Sequence, residues 1–370
     1  MTRRSGRQRR RSENASRHKG KGTKPNNSRT MDQPLAKLQL EKNLVIVEDV
    51  SEACIIINSS EKPIVIDSDK PNCPAISSAQ SLIQPHNGWE ASDDVLMLVN
   101  KQDQRRSTAF LLKHPSLQIR MRSILLDWLI EVSEAHTLHR QTFYLAQDYL
   151  DRFMLKQNNI EKGILQLIGI TCLFIASKME ETCPPKVSEM AYVTAGTYYE
   201  EEVLQMELII LKTLKWNLCP ETALSWLNLY FQIASMSPNS DLLEPQFPQD
   251  TYLLMTRLLD LCILNIEALD FEYRVLAASV LCHFIPLERV EKASGLSKDV
   301  LQPCLNWMAP FVETVGCTGS MVLKEFTNVK MEDRHNIQTH SDYMAMLDAA
   351  SEKILSGQFP TPPNSTEKNH

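Results

Sequence analysis

Apolar residues fall at helical spacing along most of the chain from Trp89 to about residue 318. Asp93 and Asp94 sit where the first turn of a helix favours carboxylates. Pro115 and Ser116 open "SLQIRMRSILLDWLIEVSEAH", and "RQTFYLAQDYLDRFML" and "ILQLIGITCLFIASKMEE" follow, the last stopped by Pro184 and Pro185. "EEEVLQMELIILKTLKW" is a further helix, halted near Pro220. A second set then reads "ETALSWLNLYFQIA", "QDTYLLMTRLLDLCILNI", "FEYRVLAASVLCHFI" and "KDVLQPCLNWMAPFVE". Strand signals are essentially absent from this stretch, so the predicted class is all-α.

The two sets resemble each other. Each has a central, very apolar helix with small residues: Gly169, Thr171, Cys172, Ala176 and Ser177 in the first, Ala277, Ala278, Ser279 and Cys282 in the second. Small residues let neighbouring helices approach closely, so each helix is expected to be the hub of its own bundle. A spacing of about a hundred residues suits a duplicated domain better than a solenoid. The divisions expected are a tail over 1–88, a first domain with its preceding helix over 89–218, a second over 219–318 and a tail over 319–370.

Both tails read as disordered. The first 88 residues lack helical periodicity and hold three β-branched clusters, Leu44 to Val47, Ile55 to Ile57 and Ile64 to Ile66. After residue 318 the chain is polar, with one short amphipathic helix in "SDYMAMLDAASEKIL" and a Pro-rich end, "FPTPPNSTEKNH".

Charge divides the molecule. Met1 to Thr30 holds eleven Lys or Arg and one acid, Glu13, a net of +10. The remainder carries 28 bases and 44 acids, a net of −16. The start is basic rather than apolar, unlike a secretory signal. The most apolar stretch, Gly163 to Ser177, contains Gln166 and Thr171 and is too short and polar to span a bilayer, so it reads as a core helix. Nine scattered Cys suggest reduced thiols rather than a disulfide framework or a zinc knuckle.

No motif for catalysis stands out. There is no Gly-rich phosphate cradle, no His-Glu-x-x-His and no nucleophile elbow. His335 and His340 with Asp333 and Asp342 resemble a metal set only loosely, on a tail expected to lack a scaffold. Cys282 and His283 are adjacent, so on a helix they point about 100° apart, and a buried thiol is the simpler reading. No cofactor is implied.

"MRSILLDWLIEV", "LQLIGITCLFIASKMEE" and "MELIILKTLKWNL", in that order, resemble the cyclin box, and "CHFIPLE" with "LNWMAPFV" resembles the second box. "SWLNLYFQ" and "EDRHNIQTH" narrow the likeness to the E-type cyclins, with "EACIII" in weaker support. The resemblance implies two tandem five-helix bundles with an added helix before the first. It implies no chemistry of the chain's own. Instead the chain would activate a cyclin-dependent protein kinase at the G1/S transition by pressing its αC helix inward, completing the kinase Lys–Glu pair.

By the same resemblance, Lys178 and Glu207 match the principal kinase contacts, and Trp216 an aromatic contact beside them. An ammonium and a carboxylate suit the carbonyls and N–H groups of a partner helix. The alternatives are a surface ion pair for the first two and bundle core for Trp216. Met121, Ile124 and Trp128, at i, i+3, i+7, with Leu165 and Gln166 match a groove that docks Arg-x-Leu segments of substrates and kinase inhibitors, and Glu131 would meet their cation. Core packing remains the other reading of this stripe. Ser225, Trp226, Asn228 and Gln232 match a centrosome-targeting segment.

In the tails, Arg3, Arg4, Arg7, Arg9, Arg10 and Arg11 form a candidate nuclear-import run, or simply a solvated tail. Thr361-Pro362 with Ser365 resembles a phosphodegron for an F-box ubiquitin ligase with a WD-repeat receptor. The β-branched clusters beside acids or serines also suit SUMO binding by strand addition, with plain tail composition favoured over it. The acidic body argues against a membrane or a nucleic acid as partner. A nucleic-acid-binding transcription factor with cyclin-like repeats, the competing class, needs a basic concave surface over the boxes.

Overall fold

The structure, a computed structural model, describes residues 107–235, 249–317 and 323–355. These hold twelve α-helices and no extended strand. A short helix, α1 (Phe110–Lys113), precedes five that form the first bundle: α2 (Ile119–Ala135), α3 (Arg140–Lys156), α4 (Leu165–Glu180), α5 (Val187–Val193) and α6 (Glu200–Thr213). The second bundle is α7 (Ala223–Ser235), α8 (Gln249–Leu264), α9 (Tyr273–Cys282), α10 (Leu287–Ser294) and α11 (Lys298–Cys317), and α12 (Tyr343–Leu355) follows. The helix expected to have Asp93 and Asp94 in its first turn begins outside the described residues, and the Arg run, the β-branched clusters, Thr361 and Ser365 also lie outside them.

The two hubs are where the small residues placed them. α4 is buried from Leu167 to Ser177 and packs against α2, α3, α5 and α6. α9 does the same among α7, α8, α10 and α11. Gly169 shows why the small side chains matter: a Cβ there would lie 2.8 Å from Leu125 Cδ1 on α2. The helix Lys162–Glu180, including its 3-10 start, is long and apolar enough to cross a membrane by composition, yet most of it is bundle core. α11 runs through two prolines, Pro303 and Pro310. Each removes one backbone donor from the ladder, so the carbonyls four residues earlier lose their usual partners.

Buried polar groups join the bundles. Arg122 on α2 makes a two-pronged pair with Asp151 on α3, at 2.7 and 2.8 Å, and donates from Nη1 to the carbonyl of Ile263 on α8 at 2.9 Å. Beside it Ser123 Oγ donates to the Leu264 carbonyl at 2.8 Å. A second knot centres on Asp260 of α8, which is fully buried. Its carboxylate accepts from Arg140 Nη1 (3.1 Å), Tyr144 Oη (2.6 Å), Gln338 Nε2 (3.1 Å) and Tyr343 Oη (3.0 Å). Burial pushes this carboxyl up, and Arg140 with the hydrogen bonds pulls it back toward the ionised form.

Gln338 and Tyr343 correct one expectation. Residues 323–355 are not a polar tail without a scaffold but a strap across both bundles. Ile337, Gln338, Tyr343 and Ala350 are buried, and α12 packs on α2, α8 and α11. Arg140 also donates to the His335 carbonyl and to Thr339 Oγ1, and Gln338 N–H donates to the Leu138 carbonyl. The second domain therefore extends past residue 318. His335 and His340 do have a scaffold, and among the described residues no cluster of three His, Cys, Asp or Glu side chains could hold a metal. Cys282 is half-buried rather than buried, with its thiol pushed up to about 11 by partial burial.

Candidate interaction site

Lys178 is the last cation of α4, and Glu207 faces it from the middle of α6. Their side chains are ion-paired, and Lys178 Nζ also lies 4.1 Å from the centre of the Phe174 ring. Glu207 is largely buried while Lys178 is half-exposed. The core stripe of α6 is Val203, Met206, Ile210 and Leu211. A second apolar stripe, Leu204 and Leu208, points outward, and Leu208 is 54% exposed. Met179 and Ile209 are exposed nearby in sequence. Beyond α6 the chain turns through two non-glycine residues in the left-handed region, Lys215 (φ 55°) and Trp216 (φ 57°). The turn is held by Trp216 N–H donating to the Leu211 carbonyl at 3.0 Å. It leaves the Trp216 indole 65% exposed, which rules out the bundle-core reading. A charged pair thus sits among uncovered apolar side chains.

The α2 stripe is placed less evenly. Met121 and Ile124 are half-exposed, and Glu131 and Gln166 are likewise at the surface in part. Trp128 is only 3% exposed and Leu165 is at the edge of burial, so both are mostly core and offer an edge at best. Met121 and Leu165 line one shallow pocket with Leu117, Gln118 and Leu125. Burial pushes the Glu131 carboxyl up, while nearby His340 opposes this.

In "SWLNLYFQ", Trp226 is 2% exposed and belongs to the core. Ser225 Oγ sits 2.9 Å from Thr222 Oγ1 and accepts from Gln141 Nε2 at 3.2 Å, tying α7 to α3. Asn228 is exposed and accepts from Tyr252 Oη at 3.0 Å, and Gln232 is half-exposed. Asn228 and Gln232 present polar surface there, and Ser225 does so in part.

The family description "Cyclin, N-terminal domain" matches residues 94–219 and "Cyclin, C-terminal domain" residues 221–343. The chain is 48% identical over 297 residues to the rat G1/S-specific cyclin-E1, covering 77% of this chain and 72% of that one. It is an E-type cyclin. The fly G1/S-specific cyclin-E is 38% identical over 321 residues, covering 77% of this chain and 45% of that one. Among solved structures a viral cyclin from herpesvirus saimiri is similar at 23% identity and a TM-score of 0.47, covering 60% of this chain and 93% of that chain.

In this cyclin, sequence reasoning named Lys178, Glu207 and Trp216 but passed over Leu204, Leu208 and Met179. The signal was available: Leu204 and Leu208 are four apart and off the core register of α6, the same two-stripe pattern that drew attention to α2. It also passed over Lys324 and read His340 only as part of a loose metal set, because the strap was taken for a tail.

Proposed function

We infer that this E-type cyclin is the non-catalytic regulatory subunit of a cyclin-dependent serine/threonine protein kinase and activates it at the G1/S transition. The observation that carries the reading is the Lys178–Glu207 pair set in the exposed apolar ridge of α6 and Trp216. In the free chain the two charges satisfy each other. Against a kinase helix they can turn outward, Lys178 to carbonyls and Glu207 to N–H groups, while Leu204, Leu208 and Trp216 lose water to the partner. Such a surface holds the kinase helix in its active position only if it binds that position better than the inactive one.

Lys178→Ala with Glu207→Ala is expected to remove kinase activation and leave the helical circular-dichroism spectrum unchanged, because the two pair with each other and Glu207 lies outside the core stripe of α6. Full activity in the folded double variant would overturn the assignment.

Substrate recruitment fits the partly exposed Met121, Ile124, Glu131 and Gln166, with Arg-x-Leu segments of substrates and inhibitors as the ligand. Nuclear import through the Arg3 to Arg11 run, centrosome targeting through Asn228 and Gln232, and turnover through phosphorylated Thr361 and Ser365 complete the reading. A nucleic-acid-binding role is not favoured, since the net charge of the chain beyond Thr30 is −16.

A further inference from the structure

The outer face of α2 carries three carboxylates at helical spacing, Asp127, Glu131 and Glu134. The strap comes down on this face. His340 Nε2 lies 3.0 Å from Asp127 Oδ1, and its backbone N–H donates to Glu134 Oε2 at 2.7 Å. Lys324 Nζ pairs with Glu134. Next to Glu134 the strap and α8 leave an open cleft of about 470 Å³, with Leu253, Leu323, Lys324, Glu325, Arg334 and His340 among its walls. Arg334 reaches Glu325 only at 3.6 Å, and its Nε is buried with no hydrogen-bond partner.

The cleft lies at the C-terminal end of α2, where Glu134 is part of its wall, beyond Glu131 of the proposed docking groove. A segment lying with its Leu toward Met121 and Leu165 and its Arg toward Glu131 runs along α2 toward that helix's C-terminus. Glu134 is one turn further, about 4.5 Å along the axis. Residues that precede the docking Arg therefore arrive at the cleft. On α2 alone they would face three carboxylates and an acidic flank would be repelled. The strap brings Lys324, Arg334 and His340 to the cleft wall, against two acids there, Glu325 of the strap and Glu134 of α2, so that Lys324 offsets Glu134.

We propose that the strap cleft is the upstream subsite of the docking groove, and that Lys324, with Arg334 behind it, lets this subsite accept acidic residues ahead of the Arg-x-Leu core. The inference rests on the groove reading and adds a specificity-determining cation to it. Lys324 is half-exposed, so its replacement is a surface change that leaves the buried contacts of Gln338 and Tyr343 in place.

The test is fluorescence anisotropy on the full chain with three peptides that share one Arg-x-Leu core and carry two Asp, two Ala or two Lys immediately before it. Lys324→Glu is expected to weaken the Asp-flanked peptide roughly three- to fivefold and to tighten the Lys-flanked one, the upper part of the scale of exposed charge pairs. The Ala-flanked peptide should stay within about twofold. Lys324→Gln should move the first two in the same directions by less. Raising salt should shrink the differences. Equal shifts for all three peptides, or none, would overturn the inference while leaving the groove intact. If the Ala-flanked peptide fails to bind the wild type, or binds Met121→Ala equally well, the groove reading itself falls and takes the subsite with it.

Discussion

His139 begins α3, and its ring Nδ1 lies 2.7 Å from Glu181 Oε2 at the end of the hub helix α4. The same carboxylate accepts from the His139 N–H at 2.8 Å and from Thr142 Oγ1 at 2.5 Å. The hydrogen bond to Glu181 holds the His139 ring above its usual range, with Glu180 and Asp333 adding to it and partial burial opposing. Burial alone would push Glu181 up, but these hydrogen bonds hold it below the usual range. The raised imidazole contributes stability that is complete below its unfolded value and lost as pH rises through its folded value. The depressed carboxylate contributes stability present above its unfolded value and lost in acid. The pair therefore stabilises most between about pH 4.5 and 6.5. His139 is nearly half-exposed, so its share is below about 1 kcal/mol. The melting temperature of His139→Gln should trail the wild type at pH 6 and approach it at pH 8. An equal gap at both pH values would refute the linkage. At this scale the sequence was legible for side chains that reach the surface, such as Lys178 and Trp216. It was ambiguous for Trp128 and Trp226, because an indole at helical spacing has the same letter whether it faces out or in.

At the level of elements, helix period and small-residue content located both hubs before any coordinate did. Gly169 is the sharpest case. Its packing distance from Leu125 leaves no room for a methyl group, and Leu125 is itself buried in the core. Gly169→Ala is expected to cost about 1–3 kcal/mol through overpacking, less any gain in helix propensity, measured by urea denaturation. Pairing it with Leu125→Ala should recover part of that loss relative to Leu125→Ala alone, as coupled neighbours do. Strictly additive losses would mean that the two side chains do not compete for the same space. Periodicity carried α11 through Pro303 and Pro310, although a proline ordinarily marks a boundary. The second apolar stripe of α6, Leu204 and Leu208, was also legible in their spacing, and it was passed over because the core stripe already accounted for the helix.

On the scale of the whole molecule, the decisive features are long-range, and these were the least legible. The knot at Asp260 joins side chains from α3, α8 and the strap, separated by up to two hundred positions in the chain. Nothing local in "EDRHNIQTH" reveals that Gln338 will be buried against a carboxylate. Asp260→Ala would leave Arg140 charged and buried without its main partner, an error of about 3–5 kcal/mol. Asp260→Asn, which keeps an acceptor, should lose less. Because the knot touches both bundles and the strap, the wild type should unfold in one calorimetric transition, and Asp260→Ala should lower or split it. An Asp260→Ala loss below about 1 kcal/mol would show that the knot is dispensable.

The strap also fixes where α12 ends. α12 ends at Leu355, six residues before Thr361. Six residues reach at most about 22 Å when fully drawn out. Under the turnover reading proposed above, whatever grips a phosphate on Thr361 would stay within about two nanometres of the end of α12, and so short a tether would raise local concentration to the millimolar range. Lys353, in the last turn of α12 and paired with Glu313 on α11, would be a lysine that such a bound enzyme meets again and again. Where the strap stops would then select which lysines are marked first.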